Sequence, residues 1–203
     1  MTDTNNATTF DVASRQRAHR ELLPDPVPEA MIEQILEMAT YAPSARNLQP
    51  WHFVVVQDPD VRKAIAAAAR SAWENFARAS TSDQTGATFK AVDRWAMGGL
   101  ADAPVIIVLC ADTRTMPIDQ MGSSIFPAAQ NILLAATALG LGSLMSNLPL
   151  FAPDHPMSEI LGLPEHMVPQ ATLPIGYPAR KLGPPGREPF QAHASRDRFG
   201  TPW

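Results

Sequence analysis

Apolar residues at Met31, Ile32, Ile35, Leu36 and Ala39 fall on one side of a 3.6-residue period, which predicts a helix over 28–41 with Pro28 at its first position. The run "WHFVVVQ" predicts a strand over 51–57, rich in β-branched and aromatic residues. A second helix starts at 58, with Asp58 as N-cap and Pro59 in the first turn. Residues 71–100 have helical character without a clean period. Trp73, Phe76, Phe89 and Trp95 are scattered there among polar groups, a pattern that suits covering a site or a partner better than filling a core. Residues 103–112 are apolar almost throughout and predict a buried strand. The most apolar helix spans 124–142, with Ile125, Ala129, Ile132, Leu133 and Ala136 on one side, few charges opposite, and Gly140 and Gly142 ending it. A further strand is expected over 168–177. Few strands among long helices predict an α+β domain, a small sheet covered by helices.

The 203 residues suit a single domain over 1–203, with a flexible N-terminus at 1–9 and an aperiodic C-terminal arm at 190–203 that suits packing on a partner. Net charge is −4, from 16 basic and 20 acidic residues, so no general pull toward nucleic acid or an anionic membrane is expected. The basic residues are uneven. Arg15, Arg17 and Arg20 form one cluster and Arg180, Lys181 and Arg187 another. They read either as two arms gripping one small anion or as two solvated surface runs. Cys110, the single cysteine, excludes an intrachain disulfide and fits a reducing, cytoplasmic setting; inside an apolar run it reads as core. The opening "MTDTNNATTF" lacks the apolar stretch of a leader, and the run "PVIIVLCA" at 104–111 is too short to span a bilayer.

The usual chemical motifs are missing. The histidines at 19, 52, 155, 166 and 193 have no i,i+4 pair and no cysteine or carboxylate cluster beside them, so no metal site is expected. His52, between two aromatic residues, reads as packed. There is no nucleophile elbow and no phosphate-binding glycine loop, and "GLG" at 140–142 follows a helix. No catalytic side chain is assigned. One stretch is unusual: "APSARNLQPWHF" at 42–53 places Ser44, Asn47 and Gln49 between Pro43 and Pro50. Hydroxyl and amide groups on a stiff turn suit something flat and polar, and a chain without reactive side chains can leave the chemistry to a bound cofactor.

Read in order, "RAHR" at 17–20, "PDPVP" at 24–28, "APSARNLQPWHFVVV" at 42–56, "PAAQNILLAATALGLGS" at 127–143 and "LGLPEHMVPQATLPIGYPAR" at 161–180 resemble the nitroreductase family of flavin mononucleotide (FMN) enzymes. The resemblance implies a three-layer α-β-α domain with a small mixed sheet, in an intertwined homodimer with the flavin at the interface. It implies a phosphate grip by Arg17 and Arg20, with Ala18 where relatives carry Ser and Gln16 where a further Arg is frequent. Arg187 in "PPGREPF" would close on the same phosphate. Pro43, Ser44 and Asn47, with Gln49 beside them, would line the ring and ribityl chain, and Met145, Ser146 and Asn147 stand where a backbone N–H reaches the flavin N5. The implied activity is hydride transfer from NADH or NADPH through FMN to a small electron-poor acceptor, such as a nitroaromatic or a quinone. Two alternatives stay open: a specialised flavin enzyme of this fold, an ene-reductase or dehalogenase, and a non-catalytic flavin sensor or store.

Overall fold

A computed structural model describes residues 8–82 and 84–203. The expected flexible terminus at 1–9 and the leader reading fall largely outside these residues. Thr8 and Thr9 are described, and they are ordered by a helix start. Thr8 caps helix α1 (Thr9–Arg15) in a reciprocal box: the Asp11 N–H donates to Thr8 Oγ1 at 3.2 Å, and the Thr8 N–H donates to Asp11 Oδ2 at 3.1 Å.

Strands β1 (Trp51–Val56), β2 (Val105–Asp112), β3 (Gly142–Ser143) and β4 (Met167–Gly176) form one sheet in the order β1-β2-β4-β3. All three strand pairs are antiparallel, which corrects the expected mixed sheet. A single bridge between Ala18 and Ser143 is the parallel pairing among the described residues. The central strand β2 shows why the fold has three layers. Val105, Ile107, Leu109 and Ala111 face one apolar cluster, which α2 (Glu29–Thr40) and α5 (Gly122–Ala138) complete. Ile106, Val108 and Cys110 face a second cluster, built with α3 (Pro59–Ala72) and α4 (Ala87–Ala96). Successive side chains point to opposite faces, so a strand buried on both sides is apolar at every position.

The predicted elements lie close to the observed ones. Asp58 caps α3, its Oδ1 accepting from the N–H of Asp60 at 2.9 Å and of Val61 at 3.0 Å. Pro28 is the N-cap of α2 and not its first helical residue. Residues 71–100 depart further from expectation. They contain a π-turn (Trp73–Ala77), α4 and a short 3-10 turn (Gly99–Asp102), and both Trp73 and Trp95 are buried in the second cluster. The Trp73 indole is satisfied there by Asp93, at 2.8 Å.

The end of α5 also differs. Gly140, with φ +78°, stops the helix as expected, but Gly142 belongs to a strand. A Cβ at Gly142 would lie 2.9 Å from His19 Cβ and 3.0 Å from Leu22 Cδ2. Glycine is required there because the segment 17–23 docks directly on β3. The His19 N–H donates to the Ser143 carbonyl at 3.0 Å and the Leu23 N–H to the Tyr177 carbonyl at 2.8 Å. This docking fixes the first arginine cluster against the edge of the sheet.

Candidate functional site

Arg17, Ala18, Met145 and Arg187 meet at one cleft of about 490 Å³, also lined by Gln16, Leu133, Leu144, Pro185 and Gly186. No carboxylate among the described residues lines it. Arg17 Nη1 donates to the Gly183 carbonyl and Arg187 Nη1 to the Gly186 carbonyl, the latter at 2.8 Å. Among the described residues neither guanidinium has an acidic partner. Two arginines from opposite ends of the chain, each with unused donors and no counter-charge, are suited to one small dianion.

Arg20 lies elsewhere. It is three residues from Arg17 in an irregular segment that bridges to β3 only at Ala18. It lines a second cavity of about 240 Å³ with Arg17, Ala18, His19, Glu21, Arg180 and the start of α4. Burial pulls Arg20 below the usual arginine value, and no hydrogen bond or ion pair engages its side chain among the described residues. Glu21 is already shared between Arg180, at 3.3 Å, and Arg94, at 3.4 Å. Burial, then the charges of Arg17 and Arg180, hold His19 below the usual histidine range. Arg17 thus belongs to both cavities, while Arg20 and Arg187 stand on different sides of it.

Residues 43–49 form a separate feature. Arg46 (φ 52°), Asn47 (φ 57°) and Gln49 (φ 48°) all occupy left-handed backbone conformations. Such a conformation costs a residue other than glycine about 1–2 kcal/mol, so three in four positions need strong local support. Ser44 supplies part of it: its carbonyl accepts from the Asn47 N–H at 3.0 Å and its Oγ from the Gln49 N–H at 3.1 Å. Gln49 Nε2 reaches Asn47 Oδ1 at 3.3 Å. The fully buried Ser124 of α5 accepts from the Ala45 N–H at 3.1 Å. Pro50, itself buried, takes the Asp112 N–H on its carbonyl at 2.8 Å, anchoring the turn to β2. Pro43 and Asn47 are exposed, and the Asn47 side-chain N–H groups make no hydrogen bond among the described residues. Strain held in this way is characteristic of sites whose geometry matters.

The third group, Met145, Ser146 and Asn147, follows β3. The Ser146 N–H donates to the Thr172 carbonyl at 2.9 Å, and the Ser146 carbonyl accepts from the N–H and the hydroxyl of Thr172 at 2.8 and 2.7 Å. Ser146 Oγ accepts from the Leu148 N–H at 3.1 Å. Ser146 is therefore fully engaged as structure. The main-chain N–H groups of Met145 and Asn147 have no acceptor among the described residues and remain available to a ligand.

Three features were not visible in the sequence: the left-handed Arg46, the supporting hydroxyl of Ser124, and the sharing of Arg17 between two cavities. Only the Ser in the first turn of an apolar helix could have hinted at the second. Cys110 is fully buried and burial pushes its thiol up to about 12, so it is core and not a nucleophile. No group of metal-ligating side chains occurs among the described residues.

Known proteins resemble this chain over most of its length. The profile of the Nitroreductase family matches residues 13–177. A Methanothermobacter thermautotrophicus protein, provisionally named NADH dehydrogenase/NAD(P)H nitroreductase, is 32% identical over 176 residues, 86% of this chain and 79% of its own. An iodotyrosine deiodinase of Thermotoga neapolitana is 25% identical over 174 residues, 83% of this chain and 88% of its own. The crystal structure of a Desulfitobacterium hafniense nitroreductase with bound FMN superposes with a TM-score of 0.69, at 22% identity, over 89% of this chain and 93% of that one. With most of its length matched by the family profile and its fold shared with a solved member, the chain belongs to the nitroreductase family.

Proposed function

We propose that this protein is an oxidoreductase that binds FMN and uses NADH or NADPH to reduce a small electron-poor acceptor, such as a nitroaromatic or a quinone. The observation that carries the reading is a cleft lined by both Arg17 and Arg187, each with spare donors, and by no acid among the described residues. A phosphate fits that donor set, and the exposed amides of the 43–49 turn fit the polar edge of a flavin ring.

In this reading Arg17 and Arg187 hold the phosphate, and Ala18 allows close approach without adding a hydroxyl contact. Arg20, on the other side of Arg17, supplies positive potential. Ser44 and Gln49 keep the turn in shape, and Asn47, beside Pro43, offers its free amide N–H to the ring. The free N–H groups of Met145 and Asn147, on either side of the engaged Ser146, are donors for a ring nitrogen. When bound, FMN supplies the redox chemistry, taking a hydride from reduced nicotinamide and returning electrons to the acceptor. Leu133 and Leu144 give the cleft apolar walls that limit water. No side chain is assigned to move a proton.

The reading includes a homodimer. The turn contacts α5 at Ser124 and the cleft contacts it at Leu133, a separation of about 13 Å along the helix at 1.5 Å per residue. Exposed Tyr41, Phe126, Phe190, Phe199 and Trp203 leave apolar surface that a second subunit would cover. A partner contributing its own turn or arm would complete each site. A sedimentation mass near 22.0 kDa for the FMN-loaded protein would contradict this. The identity with an iodotyrosine deiodinase supports a second reading, reductive dehalogenation at the same site. A reducing, cytoplasmic setting fits the single buried cysteine, and no described helix is long and apolar enough to cross a membrane.

Titration of the flavin-free protein with FMN tests the proposal. Arg187→Ala removes a charge-assisted contact and should weaken FMN about ten- to a hundredfold. Equal FMN affinity in the parent and the variant would disprove the phosphate assignment.

A further inference from the structure

The turn that bears Asn47 and Gln49 also carries a cation that the reading above does not use. Arg46 has φ 52° and ψ 22°, a conformation glycine would adopt more easily. The backbone on either side of it is pinned: the Ala45 N–H is held by Ser124, the Asn47 N–H by the Ser44 carbonyl, and the Leu48 N–H by the Ala45 carbonyl at 3.0 Å. The side chain itself is exposed and makes no hydrogen bond or ion pair among the described residues. Arginines with structural roles in this protein do have partners. Arg62 donates to the carbonyls of Ala101 and Ala103 at 2.8 and 2.7 Å, and Arg114 forks onto Asp112.

The surroundings do not neutralise Arg46. No acid occurs in residues 42–53, and the first turn of α5, which Ser124 brings to this point, contains none. The positive end of that 17-residue helix adds to the field. Asp119, in the turn before α5, makes no ion pair with Arg46. A fixed backbone therefore presents an unpaired guanidinium beside the groups assigned to the flavin ring. A guanidinium fork matches a carboxylate or a phosphate.

We propose that Arg46 makes this site selective for anionic substrates, binding either a carboxylate, sulfonate or phosphate on the acceptor or the 2′-phosphate of NADPH. The inference rests on the FMN-oxidoreductase reading and deepens it. Arg46 contributes binding and discrimination and takes no part in electron transfer.

The test uses the FMN-loaded protein with Arg46→Gly, which suits the positive φ, and Arg46→Lys, which keeps the charge. Calorimetry gives dissociation constants for 4-nitrobenzoate against 4-nitrobenzyl alcohol, and for NADP⁺ against NAD⁺. In Arg46→Gly the preference for the anionic member of one pair should fall about fivefold, in Arg46→Lys by less, and both effects should shrink as salt is raised. Loss in the first pair assigns the anion to the acceptor, and loss in the second assigns it to the reductant. Unchanged ratios in both pairs, or no binding of either anion by the parent, would overturn the proposal. Because the readout is binding, its failure is distinct from failure of the redox reading, which turnover with reduced nicotinamide reports separately.

Discussion

Asp112 and Cys110, two positions apart on β2, are displaced in opposite directions from their usual ionisation. Cys110 is surrounded by apolar side chains, which raise its thiol to about 12. Asp112, where the strand leaves the core, accepts from Arg114 Nη2 at 2.6 Å, from Nε at 2.9 Å and from the Arg114 N–H at 3.0 Å, and these bonds hold its carboxyl at about 2. An unfolded Asp titrates near about 3.9. The folded value is depressed, so the stabilising contribution of Asp112 is complete above the unfolded value and disappears as pH falls through the folded one. Urea unfolding of Asp112→Asn should thus show its largest deficit against the parent at about pH 6, narrowing between about pH 4 and pH 2. A deficit independent of pH would mean that the Asp112–Arg114 pair does not contribute through charge. The same local reasoning applies to the 43–49 turn, where unusual backbone angles are tolerated because Ser44, Ser124 and Pro50 fix the chain around them.

At the scale of elements, the close approach of backbone segments decides the architecture near the cleft. Gly176 ends β4 against Pro104, and a Cβ there would lie 2.7 Å from Pro104 Cδ. Gly176→Ala must displace a rigid ring in a buried layer and should lower stability by about 1–3 kcal/mol. A thermal or urea comparison giving no loss would show that the β3–β4 edge has room the structure does not display. This edge also shows what the sequence could reveal. The long elements were legible because their apolar periods are clear: the stripe of α2, the unbroken apolar run of β2 and the capped start of α3. Two-residue β3 was not, because two residues have no period, and "GLG" after a helix reads as a stop; only its pairing with β4, Gly142 opposite Gly176 and Ser143 opposite Ile175, identifies a strand. Trp73 and Trp95 lie on separate helical segments, and only tertiary packing brings both into the second cluster, which no single helical period encodes. The cleft was legible at Arg17 and Arg187 through their charge. That Arg20 and Arg187 line different cavities depends on how 17–23 docks on the sheet edge, which charge clustering does not encode.

For the molecule as a whole, two apolar layers flank one sheet, and α5 links the features assigned to the cofactor, with the strained turn at its start and the arginine cleft beside its later half. The C-terminal arm folds on itself and away from the core. Phe190 meets Trp203 edge-on at 5.9 Å, the Arg196 guanidinium lies 5.3 Å above the Trp203 ring, and Phe199 remains fully exposed. An arm with exposed rings fits a second subunit better than solvent, in keeping with the proposed homodimer. The central claim is that the acid-free cleft and the turn together hold a flavin that reduced nicotinamide can reduce. The most direct test is the visible absorption spectrum of the FMN-loaded protein without oxygen, before and after adding NADH or NADPH. The account predicts flavin bands that bleach on addition and return with an electron-poor acceptor. Protein that takes up no FMN, or bound flavin that stays oxidised with both reductants, would contradict it.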